Sequence, residues 1–198
     1  YKLSPKGFKS TFLHNIYYRY ISICYKNSLK VLKNNKISIK YISDDARNYL
    51  KNNFNRYDLI FLDAFTPTLA PELWSYEFIK LLYSVLNFDG KILTYSSSAS
   101  IRNAFLENNF YVGKIFNEHE NKFTGTIATK NKELIKYPLD EFDLGLIRSK
   151  AGITYKDKNL NSNREEILER RKTEIDESDL ISTTQFIKKF KGEHYNDL

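Results

Sequence analysis

Residues 57–74, YDLIFLDAFTPTLAPELW, constrain the fold of this chain more tightly than any other stretch. Four apolar residues, Leu59-Ile60-Phe61-Leu62, run without polar alternation into an acid, Asp63. A short, unalternating run rich in Ile and Phe predicts a strand buried on both faces, as in a parallel sheet. Open α/β sheets bind ligands at the carboxyl ends of their strands. Asp63 is therefore expected at the ligand-binding end of a central strand. Pro67 and Pro71 stiffen the loop that follows. Pro71 also predicts the start of a helix over 71–86, because proline's missing N–H costs little in a first turn. Trp74, the sole tryptophan, falls at the beginning of that helix.

The flanking sequence fits an alternating α/β chain. Phe8, Phe12, Ile16, Tyr20 and Ile23 recur at helical spacing and predict a helix over 4–34. Its tyrosines are expected to cover a sheet; with Lys26, Lys30 and Lys33 they could also form a nucleic-acid surface. Alternation over 37–43 predicts a strand ending at Asp44-Asp45, followed by a helix over 46–51. One of these two acids can cap that helix while the other accepts from a ligand. Asp89-Gly90 reads as the turn after the 71–86 helix, 91–95 as a strand, Ser96-Ser97-Ser98 as its carboxyl end, and 99–107 as a helix carrying Arg102. Asn108-Asn109 is expected to stop that helix. Strands are expected at 110–116 and 124–129, with 117–122 as an exposed hairpin link. Residues 131–162 look loop-like. Ser162 to Glu165 read as a capping box for a helix over 163–177, and the tail from Lys188 is expected to be mobile. The fold class is thus α/β, a mostly parallel sheet with an antiparallel edge hairpin. Residues 1–136 would form its core and 137–198 a charged helical extension packed on it.

Charge is uneven: residues 1–60 hold 12 Lys and Arg against 3 Asp and Glu. That excess is compatible with a phosphate-bearing partner, and equally with a solvated lysine-rich face. A single cysteine, Cys24, excludes an intramolecular disulfide and argues for a reducing compartment. The expected location is the cytoplasm or an organelle of bacterial ancestry. No 18-residue apolar stretch occurs, so no membrane span is expected. There is no CxxC, HExxH, GxxxxGK or GxSxG, and the three histidines are far apart. Zinc, P-loop and serine-hydrolase chemistries are therefore disfavoured. What remains is a line of groups at successive strand ends: Asp45, Asp63 and Tyr95-Ser96. A carboxylate-rich, aromatic, metal-free site suits a small polar cofactor and an amine substrate.

Asp63-Ala64-Phe65-Thr66-Pro67 followed by Pro71-Glu72-Leu73-Trp74 resembles the signature of MnmC-like methyltransferases. Asp45-Ala46-Arg47, Thr94-Tyr95-Ser96-Ser97 with Ile101-Arg102, and Gly125-Thr126-Ile127-Ala128 match that family in order and spacing. Residues 148–188 are similar to the tail of its stand-alone members, which lack the FAD-dependent oxidase domain. The resemblance implies a Rossmann-like class I fold, S-adenosylmethionine as cofactor and tRNA as partner. The implied reaction is N-methylation of an aminomethyl group on a modified wobble uridine. A separate oxidase or tRNA-modifying enzyme would be a further partner. It also implies roles: Asp45, Ala46, Asp63 and Phe65 toward the cofactor, Pro67, Trp74, Tyr95, Ser96 and Arg102 toward the substrate, and Asp63 as the catalytic group. Two departures stand out. The family's cofactor glycine loop is absent, as no Gly-x-Gly occurs, and an N-terminal piece before Tyr1 is expected to supply it along with two strands. Residues 118–122 replace a basic run. A degenerate, non-catalytic domain that binds RNA or protein, and a methyltransferase for another amine, are the rival readings.

Overall fold

The computed structural model describes residues 31–33, 38–40 and 42–195. The chain divides after Asp44 into two compact units. In the first, β1 (Val31–Lys33) and β2 (Ser38–Lys40) pair antiparallel, with Leu32 opposite Ile39. Residues 31–33 are thus a strand and not the end of the helix expected over 4–34, the rest of which lies outside the described residues. The strand expected over 37–43 is present only at its centre: Ile42 and Ser43 are irregular, and residues 37 and 41 lie outside the described set.

The second unit carries a four-stranded sheet in the order β3-β4-β6-β5. These strands are β3 (Tyr57–Phe61), β4 (Leu86–Thr94), β5 (Tyr111–Asn117) and β6 (Lys122–Thr129). β3 and β4 run parallel, while β6 lies antiparallel between β4 and β5. The expected edge hairpin is there, Asn117 pairing with Lys122 across its turn. Helices α1 (Ala46–Lys51), α2 (Tyr76–Val85) and α3 (Ala99–Glu107) complete this part. α3 stops at Asn108-Asn109 as expected, and Asn109 takes φ 64°, the left-handed conformation that asparagine tolerates.

Two expectations fail locally. The 71–86 helix is broken. Pro71–Trp74 is a single 3-10 turn, and Ser75 then leaves helical geometry to cap α2, its hydroxyl accepting from Phe78 N at 3.2 Å. A serine oxygen satisfies an orphan donor of a new helix better than it serves inside one. Asp89-Gly90 is not a turn after the helix. β4 starts directly at Leu86, and 87–90 form a bulge between the Tyr57–Leu86 and Leu59–Lys91 pairs. Gly90 is needed in it, since a Cβ would come within 2.9 Å of the Tyr57 carbonyl oxygen.

The core lies on one face of the sheet. Ile92, Ala128 and Val112 meet Phe78, Ile79 and Leu82 from α2 and Ile101, Ala104 and Phe105 from α3. Phe105 and Phe110 meet edge to face at 5.4 Å, an arrangement aromatic quadrupoles favour. Ile60 and Leu62 turn toward this core. Leu59 and Phe61, the alternate residues of β3, are 46% and 70% exposed. Among the described residues β3 is therefore a side strand covered on one face, not a central strand buried on both.

Residues 131–162, expected to be loop-like, contain α4 (Glu141–Ile147), held by a capping box between Asp140 and Asp143. It is only seven residues long, and the interior Gly145 weakens its helical signal. α5 (Arg164–Glu177) is capped one residue later than expected, by Asn163 and Glu166. α6 (Thr183–Tyr195) runs through the tail expected to be mobile. Phe142 of α4 holds it through Phe186 and Phe190, with ring centroids 5.8 and 5.2 Å away. Tyr155 and Ile167 join the core itself.

Candidate functional site

Beyond β3 the chain pairs once more, Leu62 N donating to Leu93 O at 2.9 Å, and then leaves the sheet at Asp63. Asp63 is exposed. It lines an open cleft of about 400 Å³ together with Phe61, Leu62, Leu93, Thr94, Tyr95, Ile115 and Thr124. The loop that follows is fixed by its carbonyls. The Tyr95 hydroxyl donates to Ala64 O at 2.9 Å and the Trp74 indole N–H to Phe65 O at 2.7 Å. Thr66 O accepts from the N–H groups of Leu69 and Ala70, and Thr68 O from Arg164 Nε at 2.9 Å. Trp74 and Tyr95 also meet edge to face at 6.0 Å. With the backbone so tied, Phe65 is held 77% exposed and Pro67 half-buried.

The structure thus ties Phe65, Trp74 and Tyr95 into one bonded group, with Asp63 lining the cleft beside Tyr95. Their parts differ from the expected ones. Trp74 is fully buried, so it braces the loop from behind and presents no surface to a substrate. Tyr95 is half exposed and has both roles open: its hydroxyl holds Ala64 while its ring lines the cleft.

Ser96 and Arg102 do not reach the surface. Ser96 is buried; its carbonyl accepts from Thr126 Oγ1 at 2.7 Å and its hydroxyl oxygen from Ser98 N at 3.4 Å. Arg102 is 5% exposed. It donates to Thr126 Oγ1 at 3.0 Å and pairs with Asp143 at 2.6 Å. An arginine so enclosed and paired cannot also serve an RNA phosphate. These bonds lock the end of β4 to β6, where Gly125 takes φ 93°. A side chain there would fall on the Thr94 carbonyl, so only glycine fits.

Asp45 and Ala46 sit at the start of α1. Asp45 caps that helix, Oδ1 accepting from Arg47 N at 2.8 Å, while Oδ2 accepts from Arg47 Nη2 at 2.7 Å. Arg47 Nη1 in turn pairs with Asp157 at 2.7 Å and donates to Ser162 O at 2.9 Å. The Arg47 bonds hold the Asp45 carboxyl below the usual carboxylate range. Burial pushes Asp157 up, but the Ser162 N–H and Arg47 outweigh it, and its pKa also ends below the usual value. Arg47 itself is held above the ordinary guanidinium value, first by Asp45. Asp157 was not evident from sequence: a lone acid in a segment that reads as loop has no periodicity to betray it.

Among the described residues no helix is long and apolar enough to cross a membrane. A family of S-adenosyl-L-methionine-dependent methyltransferases matches residues 9–131. An uncharacterised protein of Methanocaldococcus jannaschii is 30% identical over 148 residues, 69% of this chain and 41% of that one. The tRNA 5-methylaminomethyl-2-thiouridine biosynthesis bifunctional protein MnmC of Campylobacter fetus is 28% identical over 85 residues, 42% of this chain and 14% of that one. The crystal structure of MnmC2 from Aquifex aeolicus superposes with a TM-score of 0.70 at 28% identity, covering 81% of this chain and 52% of that one. The chain spans less than half the length of the curated relatives it matches.

Proposed function

This chain belongs to the S-adenosyl-L-methionine-dependent methyltransferases, and from that premise we propose that it methylates the amine of an aminomethyl group on a tRNA wobble uridine. The observation that carries the proposal is Asp63. It is an exposed carboxylate at the mouth of an aromatic cleft, on a loop whose backbone is tied down at four successive points. The named activity of the Campylobacter fetus relative supports the choice of substrate.

The donor set of the cleft fits a cofactor that carries a cation and an amino group. One carboxylate can accept from the amino group, and the rings of Phe61 and Tyr95, which line the cleft, can meet a positive charge. Asp63 and Phe65 would hold that end, with Asp45 and Ala46 toward the adenine. S-Adenosylmethionine, when bound, supplies the methyl group from its sulfonium. The chain's residues align and deprotonate. An alkylamine is protonated near neutral pH, with a reference pKa of about 10, so its lone pair must be freed. Asp63 can orient the amine and accept or relay its proton. S-Adenosylmethionine would give its methyl group to the freed amine, and Asp63 would take or relay the proton that the amine loses. Holding both partners in line accounts for most of the rate in such a displacement.

Asp63→Asn is expected to keep the fold, retain cofactor affinity within about threefold, and lower turnover by about a hundredfold, the range of a lost general base. Unchanged turnover on tRNA bearing an aminomethyl uridine would remove Asp63 from the chemistry. Calorimetric titration of the full-length protein with S-adenosylmethionine tests the cofactor assignment, and no heat of binding there would remove it.

A further inference from the structure

The family match ends at residue 131, yet much of what fixes the candidate site comes from beyond it. The segment from Tyr155 to Arg164 crosses the molecule along the site. Tyr155 O accepts from Tyr76 N at 2.9 Å, and Asp157 N donates to Glu77 Oε2 at 2.6 Å. The Asp157 side chain is fully enclosed. Both of its oxygens are used: Oδ2 takes Arg47, and Oδ1 takes the N–H groups of Asn161 and Ser162 at 3.1 and 3.0 Å. Lys51, at the other end of α1, donates to Asn159 O at 2.9 Å. The segment then delivers Arg164 to the Thr68 carbonyl, and α5 packs on the 3-10 turn that contains Trp74. One stretch of chain therefore grips the Asp45 turn at one end and the Asp63 loop at the other.

Stability alone would not ask for this chemistry. Apolar packing can replace a buried ion pair with little or no loss. What the pair adds is direction. Arg47 is a planar fork with one branch on Asp157 and the other on Asp45, which fixes the plane and position of the Asp45 carboxylate.

We infer that Asp157 and Arg164 are positioning residues for the two halves of the site, an inference that rests on the methyltransferase reading above. Asp157 acts through Arg47 on Asp45, and so on cofactor affinity. Arg164 acts through the Thr68 backbone on the loop that carries Asp63, and so on turnover. Neither touches a reactant.

Two separable signatures follow, which a merely structural strap would not produce. In the full-length protein, S-adenosylmethionine is titrated calorimetrically into the wild type, Asp157→Asn and Arg164→Gln, and kcat and KM are measured with tRNA bearing an aminomethyl uridine. Asp157→Asn is expected to weaken cofactor binding about tenfold, and Arg164→Gln to lower kcat about tenfold, the scale of a misplacement of well under 1 Å. Arg164→Gln lowers cofactor affinity by no more than about threefold, and Arg164→Lys, which can still donate to Thr68, recovers part of kcat. Should Asp157→Asn fail to fold, Arg47→Lys replaces it, keeping a cation beside Asp157 while removing the fork. Loss of affinity and turnover together, in proportion to melting temperature, would overturn the inference. So would unchanged variants in a protein that binds the cofactor normally. A full-length wild-type protein that binds no cofactor would overturn the functional reading and the inference with it.

Discussion

Arg102 is the residue whose meaning changes most between sequence and structure. Its match to a family arginine suggested a phosphate contact, but it is enclosed and paired with Asp143. Arg102→Met is therefore expected to destabilise the fold by about 2 kcal/mol, the cost of leaving Asp143 with only the longer Lys114 contact at 3.4 Å. Urea unfolding measures it, and an unchanged midpoint with weakened RNA binding would reinstate the surface role. Titration offers a second prediction. Asp45 and Asp157 have folded pKa values below the 3.8 of a free aspartate. The stability they contribute is fully present above that value and is lost as pH falls through the lowered folded values. Unfolding midpoints at pH 6 and pH 3 should differ less in Asp157→Asn than in the wild type. An equal difference would exclude Asp157 as a source of acid sensitivity.

Element by element, the tail makes the firmest prediction. α6 is attached to α4 through Phe142, Phe186 and Phe190, and the Phe186 ring packs where Gly145 leaves room for it. Phe186→Ala should free α6, seen as hydrogen exchange in 183–195 approaching that of an unprotected helix, while exchange in β4 and β6 stays slow. The strand-helix order from 57 to 129 was legible because each element there has a strong apolar signal and a clear punctuation mark: Asp63, Ser98, Asn109. Two of the failures share a cause, a local cue overruled by tertiary geometry. Leu59 and Phe61 look identical in kind to Ile60 and Leu62, and only the placement of α2 and α3 on one face tells them apart. Asp89-Gly90 has turn composition but is absorbed into a bulge, because β3 and β4 must come back into register at Lys91. The candidate site was half legible. Asp63, Phe65 and Tyr95 followed from strand ends and motif, whereas Asp157 and Arg164 reach the site across more than ninety residues of sequence, which no local pattern encodes.

At the scale of the whole molecule, residues 45–198 form one compact unit, with Tyr155 and Ile167 inside the same core as β4 and α3. A chain ending at residue 152 is expected to lose cooperative unfolding, because it removes two core residues worth roughly 2 kcal/mol each and leaves Arg47 without Asp157. A sharp thermal transition in that truncated chain would show the earlier elements to be self-sufficient. The Arg47–Asp157 pair joins residues 110 apart in sequence, and this bears on how the protein is made. At about 5–20 residues per second on the ribosome, Arg47 emerges several seconds or more before its partner exists. During that interval α1 lacks the anion that orients it, so nascent chains of this protein are candidates for chaperone protection until the last third has been translated.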